Sequence, residues 1–141
     1  MPGIWILFAI LSAVFAALVA IFGKVGISNL DTTLATTVRS VVMAVFLVMT
    51  SLVFGKAKLL STIHPRALLF IVLAGVAGAL SWLFYFFALK NGPAPAVAAL
   101  DRLSVVFVLI LALIFLGEHL TWKTGIGALL ITTGAIFIVL K

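Results

Sequence analysis

The sequence predicts an all-α, polytopic transmembrane helix bundle with five spans, at about residues 4–22, 33–54, 67–89, 94–116 and 122–140. Three observations carry this expectation. First, 66% of the 141 residues are hydrophobic and the mean hydropathy is +1.47. A soluble domain of this length has too little interior to hide that much apolar surface, so lipid must cover the rest. Second, each apolar run has the length needed to cross about 30 Å of hydrocarbon, which takes about 20 residues. Third, almost nothing remains between the runs, so residues 1–141 are read as a single five-helix domain.

Composition also excludes functions. Cysteine is absent, which removes disulfides and thiolate metal sites. The formal charge is +6, but the lysines and arginines are scattered. No basic block with interleaved aromatics speaks for nucleic acid. In a membrane chain such an excess reflects loop positives and anionic headgroups. No cofactor or metal is implied.

The first span, Ile4–Phe22, carries no ionisable residue. It lacks the basic lead and the short core of a secretory signal, so it reads as a mature helix. Ser12, Ala13, Ala16, Ala17 and Ala20 recur at helical spacing and suit close packing. Gly23-Lys24 is expected to end it. Asp31, before Thr32 and Thr33, has the character of an N-cap for the second span. Arg39 lies about two turns inside that span. It either snorkels to the interface or serves a buried role.

Phe54-Gly55 closes the second span. Lys56, Lys58, His64 and Arg66 follow in the longest loop, and Pro65 suits a helix start. His64 has no second histidine or carboxylate at ligand spacing, which argues against a metal role. In the third span, the pairs Ala74/Gly78 and Gly75/Ala79 allow close helix approach. Towards its end, Trp82 to Phe87 reads as an interfacial aromatic belt; the alternative is that Trp82 or Tyr85 lines a substrate cavity.

The fourth span, Ala94–Leu116, follows Gly92-Pro93-Ala94-Pro95. Proline is tolerated in a first turn, and the residue before it resists helix, so Pro93 and Pro95 read as structural. The alternative is a broken helix start whose N–H groups face an anion. Well inside this apolar run sit Asp101 and Arg102. A charge deep in such a segment costs roughly 2.5–3.5 kcal/mol on insertion scales, and marks a functional candidate. Arg39 and Asp101 each lie about seven residues into their spans, about 10 Å deep at about 1.5 Å per residue. Equal depth permits a pair if the two helices are neighbours, which leaves Arg102 for a solute or a second subunit. Trp122-Lys123 opens the fifth span as an interface anchor. Gly127 and Gly134 lie on one of its faces.

Ala88-Leu89 with Gly92-Pro93-Ala94, then Leu116-Gly117-Glu118, then Gly127 to Gly134, in this order and spacing, resemble the EamA-type domain of the drug/metabolite transporter superfamily. Asp101-Arg102-Leu103-Ser104 looks like the variant in short members of that family. The resemblance implies a five-helix repeat and transport of small organic solutes. Most members carry two repeats in opposite orientations, whereas this chain has one. A second copy, from itself or from a similar half-size protein, is then needed to complete the usual cavity. Glu118 follows a helix end, where it can cap the free N–H groups of the fifth span; the other reading is a gating or proton role.

The leading expectation is therefore a carrier of small solutes or metabolites in the cell (inner) membrane. The alternative is a non-transporting membrane subunit that packs against a partner. No paired acidic motif, metal cluster, nucleophile–base pair or phosphate loop supports an enzyme. Small multidrug exporters fit less well, since their pattern has four helices and an acidic residue in the first. With the N-terminus inside, the inner loops hold Lys56, Lys58, Arg66 and Lys123, and the outer segments hold Lys24, Lys90 and Lys141. That bias barely fixes orientation. Single repeats that insert both ways can pair antiparallel, so a dual-topology homodimer is expected, with a heterodimer as its rival.

Overall fold

The computed structural model describes residues 3–117 and 119–140, and among them it contains helices and no strand. Helix α1 spans Ile4–Gly26, α2 Thr32–Val53 and α3 Pro65–Asn91. A 3-10 segment, Lys56–Thr62, lies between α2 and α3 where the sequence suggested only a loop. Next come α4 (Ala94–Asp101), α5 (Ser104–Leu111) with a π-helical turn at Ala112–Leu116, and α6 (Trp122–Val139). Five stretches are long and apolar enough to cross a membrane, the fourth being Ala94–Leu116 taken whole. At most 11% of the most apolar part of any span is buried within the chain. Lipid or other protein must cover the remainder, and the chain is a multi-pass membrane protein.

Local chemistry explains the helix ends. Asp31 has extended backbone and its side chain accepts from the Leu34 N–H at 2.9 Å, the expected cap of α2. Pro65 is the first residue of α3, where its missing N–H costs nothing. The Leu68 N–H then bonds the His64 carbonyl at 3.0 Å. Gly55 and Gly117 both take positive φ, +65°, after α2 and after the π turn. An L side chain there is strained, so Phe54-Gly55 and Leu116-Gly117 stop their helices. Thr121 caps α6, accepting from the Thr124 N–H at 3.3 Å. Glu118, expected in that capping role, lies outside the described residues.

Two helices run past their expected C-terminal ends. α1 runs past Phe22 through Gly23 and Lys24 to Gly26. Lys24, in its last turn, complements the negative end of the helix. α3 runs past Leu89 to Asn91, and Gly92-Pro93 stops it.

The chain divides into two compact units. One unites the described residues up to Lys24 with those from Asn91 onward. In it α4 packs along α6, with Val97 and Ala135 buried, and α5 also meets α6. Small side chains permit that approach. Lys24 Nζ donates to the Gly92 carbonyl at 2.9 Å, fastening α1 to the turn before α4. The other unit, Val25–Lys90, holds α2, the 3-10 segment and α3. There Lys90 Nζ donates to the Leu30 carbonyl at 2.8 Å.

Candidate functional site

The fourth span is not the continuous helix that its apolar run suggests. Arg102 and Leu103 have φ/ψ of −67°/−13° and −62°/−17°, in the 3-10 region. The N–H groups of Arg102, Leu103, Val105 and Val106 donate to Ala99, Leu100, Arg102 and Leu103, each three residues back, at 2.9–3.2 Å. In a regular α-helix, Arg102 would donate to Ala98, and Val105 to Asp101. Those two carbonyls lose these donors at the break. Asp101 ends α4 and Arg102 follows it, both exposed. Neither proline nor glycine marks this point. The only local signal is two adjacent charges followed by Ser104, and aspartate competes poorly in helix interiors.

Backbone released from its ladder inside a membrane has to be met by water, protein or a ligand. A mid-span break with a carboxylate and a guanidinium at it is thus suited to contact something polar. Arg102 also lines a shallow groove of about 230 Å³ with Ala99 of α4 and Gly134 and Ala135 of α6.

In the Val25–Lys90 unit, Arg39 of α2 and Trp82 of α3 meet. The guanidinium carbon sits 3.6 Å from the Trp82 ring centre and 5.7 Å from that of Phe86, a cation–π geometry. Trp82 and Tyr85 contact edge to face at 5.4 Å, and Phe86 completes the cluster. Of the five candidate residues, the structure brings Arg39, Trp82 and Tyr85 together in one unit. It places Asp101 and Arg102 at the break in the other. The partner it gives Arg39 is an indole face.

α2 and α3 also flank an open groove of about 570 Å³, whose lining includes none of Arg39, Trp82, Tyr85 and Phe86. Thr33, Thr36, Thr37 and Ser40 line its α2 side, and Leu80 and Leu83 belong to its α3 side. Thr36, Thr37 and Ser40 donate their hydroxyl protons to the carbonyls four residues back, at 2.7–2.9 Å. Their polarity is largely satisfied by their own helix. This hydroxyl stripe was not among the candidates expected from the sequence, though its four-residue spacing was readable.

The remaining motif residues have plain structural places. Gly92 supplies the carbonyl that Lys24 binds. Pro93 precedes α4 and its carbonyl accepts from the Val97 N–H at 3.1 Å, while Pro95 sits in the first turn. Gly117 ends the π turn. A Cβ added at Gly127 or Gly134 would meet no atom within 4 Å beyond the local backbone.

The model of the EamA-like transporter family matches residues 3–140. The chain belongs to the EamA-like transporter family. It is also 42% identical over 134 residues to a Sinorhizobium sp. protein described as "Uncharacterized transporter in cobO 3'region", covering 95% of each chain. No solved structure matches. The resemblance drawn from Gly92-Pro93, Leu116-Gly117-Glu118 and Gly127 to Gly134 is thus confirmed, and extends over nearly the whole chain. Membership points to a transporter rather than an enzyme.

Proposed function

We propose that this EamA-family protein is a carrier that moves small organic solutes across the cell's inner membrane by alternating access, as an antiparallel dimer of five-helix units. The observation that carries the reading is the break at Asp101–Leu103. Discontinuous spans with released backbone and ionisable side chains recur where membrane carriers hold solutes and coupling ions. Family membership and the relative's transporter name point the same way. Arg39, Trp82, Tyr85, Asp101 and Arg102 are the residues assigned to solute contact or to the transport cycle.

The decisive experiment is flux of a solute panel into proteoliposomes, with and without a pH gradient. Saturable uptake that exceeds protein-free vesicles by several-fold is expected. No uptake of any panel member would favour a non-transporting membrane subunit. Normal flux in Arg102→Gln would remove Arg102 from the essential set. Assembly is tested with C-terminal reporter fusions: activity on both membrane faces is expected for dual insertion. A signal on one face alone points to a similar half-size protein as the oppositely inserted partner.

A further inference from the structure

We infer that the connection between α2 and α3, residues 54–66, is a docking element for anionic phospholipid headgroups, with Lys56, Lys58 and Arg66 as its charges and Leu59 and Leu60 as its apolar contact. The inference does not depend on the carrier reading, because it concerns how the chain meets its bilayer and not what it moves.

The fold treats its two sets of loop cations differently. Successive spans alternate in direction, so the ends of α1 and α3 lie at one membrane face and the α2–α3 connection at the other. Lys24 and Lys90 stand in the last turns of α1 and α3, where the helix macrodipole favours a cation. Each also donates to a backbone carbonyl, of Gly92 and of Leu30 respectively. The other face gives its cations no such place. Arg66 stands in the first turn of α3, which has no acidic residue and where the macrodipole disfavours positive charge. Lys56 and Lys58 lie on the 3-10 segment, and all three side chains are exposed. The segment between the fourth and fifth spans reaches this same face, and there the sequence adds Glu118 and Lys123. However the helices are arranged, the face has Lys56, Lys58, Arg66 and Lys123 against the carboxylate of Glu118. An anionic surface outside the chain complements that excess.

The backbone holds these charges at headgroup level. α2 ends at Val53, Gly55 turns the chain at φ +65°, and α3 begins at Pro65, so the short stretch between the two spans stays at the interface. A 3-10 helix rises about 2 Å per residue and its side chains eclipse every third position. Lys56 therefore stands over Leu59, and Lys58 over Ser61. Ser61 and Thr62 donate their hydroxyl protons to the Lys58 and Leu59 carbonyls at 3.4 and 2.7 Å, which turns their polarity back on the segment. Leu59 and Leu60 are 53% and 69% exposed. Lysine stems can lie along such apolar surface with the charge at the phosphates, while the leucines enter the acyl boundary. Each cation near an anionic membrane surface gains about fivefold in partition. A neutral lipid offers the same acyl contact without that gain.

The test is native mass spectrometry of the purified full chain in neutral detergent, with phosphatidylglycerol and phosphatidylcholine of identical acyl chains titrated in parallel. Phosphatidylglycerol is expected to bind at least about tenfold more tightly. Lys56→Gln, Lys58→Gln and Arg66→Gln together should bring it down to the phosphatidylcholine level. Lys56→Arg and Lys58→Arg with Arg66→Lys should keep the preference, since charge and not fork geometry carries it. Location is read in nanodiscs through Ser61→Cys, a unique thiol in a chain without cysteine, labelled with an environment-sensitive fluorophore. Its emission should move to the blue as phosphatidylglycerol replaces phosphatidylcholine, and the change should collapse in about 1 M salt, where the screening length is about 3 Å. Equal affinity for the two lipids overturns the inference and leaves an acidic protein segment as the partner of the patch. A preference undiminished by the triple neutralisation, or one that leaves the label unmoved, overturns it as well. Glycerol phosphate, a headgroup without acyl chains, should not bind detectably; affinity equal to that of the lipid would overturn the lipid assignment. The comparison of the two lipids needs only the native chain, so it stands even if the triple variant fails to fold.

Discussion

The guanidinium carbon of Arg39 lies 3.6 Å from the centre of the Trp82 ring, and this contact joins α2 to α3 at membrane depth. A cation–π pair is worth about 0.5–2 kcal/mol, with the larger values where water is excluded. Trp82→Leu should lower stability by about that amount, read by denaturant titration in detergent micelles. Trp82→Phe keeps a ring face and should lose less. Equal losses for the two variants would show that a ring face beneath the guanidinium contributes nothing there.

The cap of α2 offers a second test, outside the hydrocarbon. The Asp31 side chain is bonded to the Leu34 N–H at 2.9 Å. Asp31→Ala should cost about 1 kcal/mol, and Asp31→Asn or Asp31→Ser much less. Exchange of the Leu34 amide is the local readout. It should quicken in Asp31→Ala and stay slow in Asp31→Ser.

Gly117 sits at φ +65°, beyond the π turn that ends span four. Gly117→Ala should destabilise by about 1–2 kcal/mol, because an L side chain in left-handed backbone crowds the following carbonyl. Gly117→Asn should be milder. Space is not the issue, since a Cβ there has no neighbour within 4 Å. Matching losses for alanine and asparagine would contradict a backbone cause.

The Ala74/Gly78 and Gly75/Ala79 pairs of α3 bear on assembly. A Cβ at Gly75 or Gly78 would meet nothing within 4 Å, so a larger side chain should leave the single chain folded. In the proposed dimer, such a face lets a second chain approach closely. Gly78→Ile is expected to keep the helical content and to reduce cross-linked dimer several-fold. Unchanged cross-linking would assign the dimer contact to another face.

The membrane class, the five spans and most of their ends were legible in the residues. Hydropathy and length are additive along a chain, so summing them needs no three-dimensional knowledge. The ends at Asp31, Pro65, Gly92-Pro93 and Gly117 were readable for a related reason: capping and backbone strain act within a few residues. The family motifs were legible as well. The break at Asp101–Leu103 was not, because the run from Ala94 to Leu116 is apolar and carries neither proline nor glycine at that point. Only the backbone's hydrogen-bond spacing reveals it. Nor could the sequence deliver Arg39 to Trp82. Depth restricts a residue to a plane and leaves its neighbour within that plane open. Within their own unit, the placement of α2 against α3 sets the Arg39 guanidinium over the Trp82 indole. Likewise, the hydroxyls of Thr33, Thr36, Thr37 and Ser40 are a stripe in the sequence and become the wall of a groove only when α3 stands opposite. Local chemistry decided what each helix is; which faces meet was decided by packing between residues far apart in the chain.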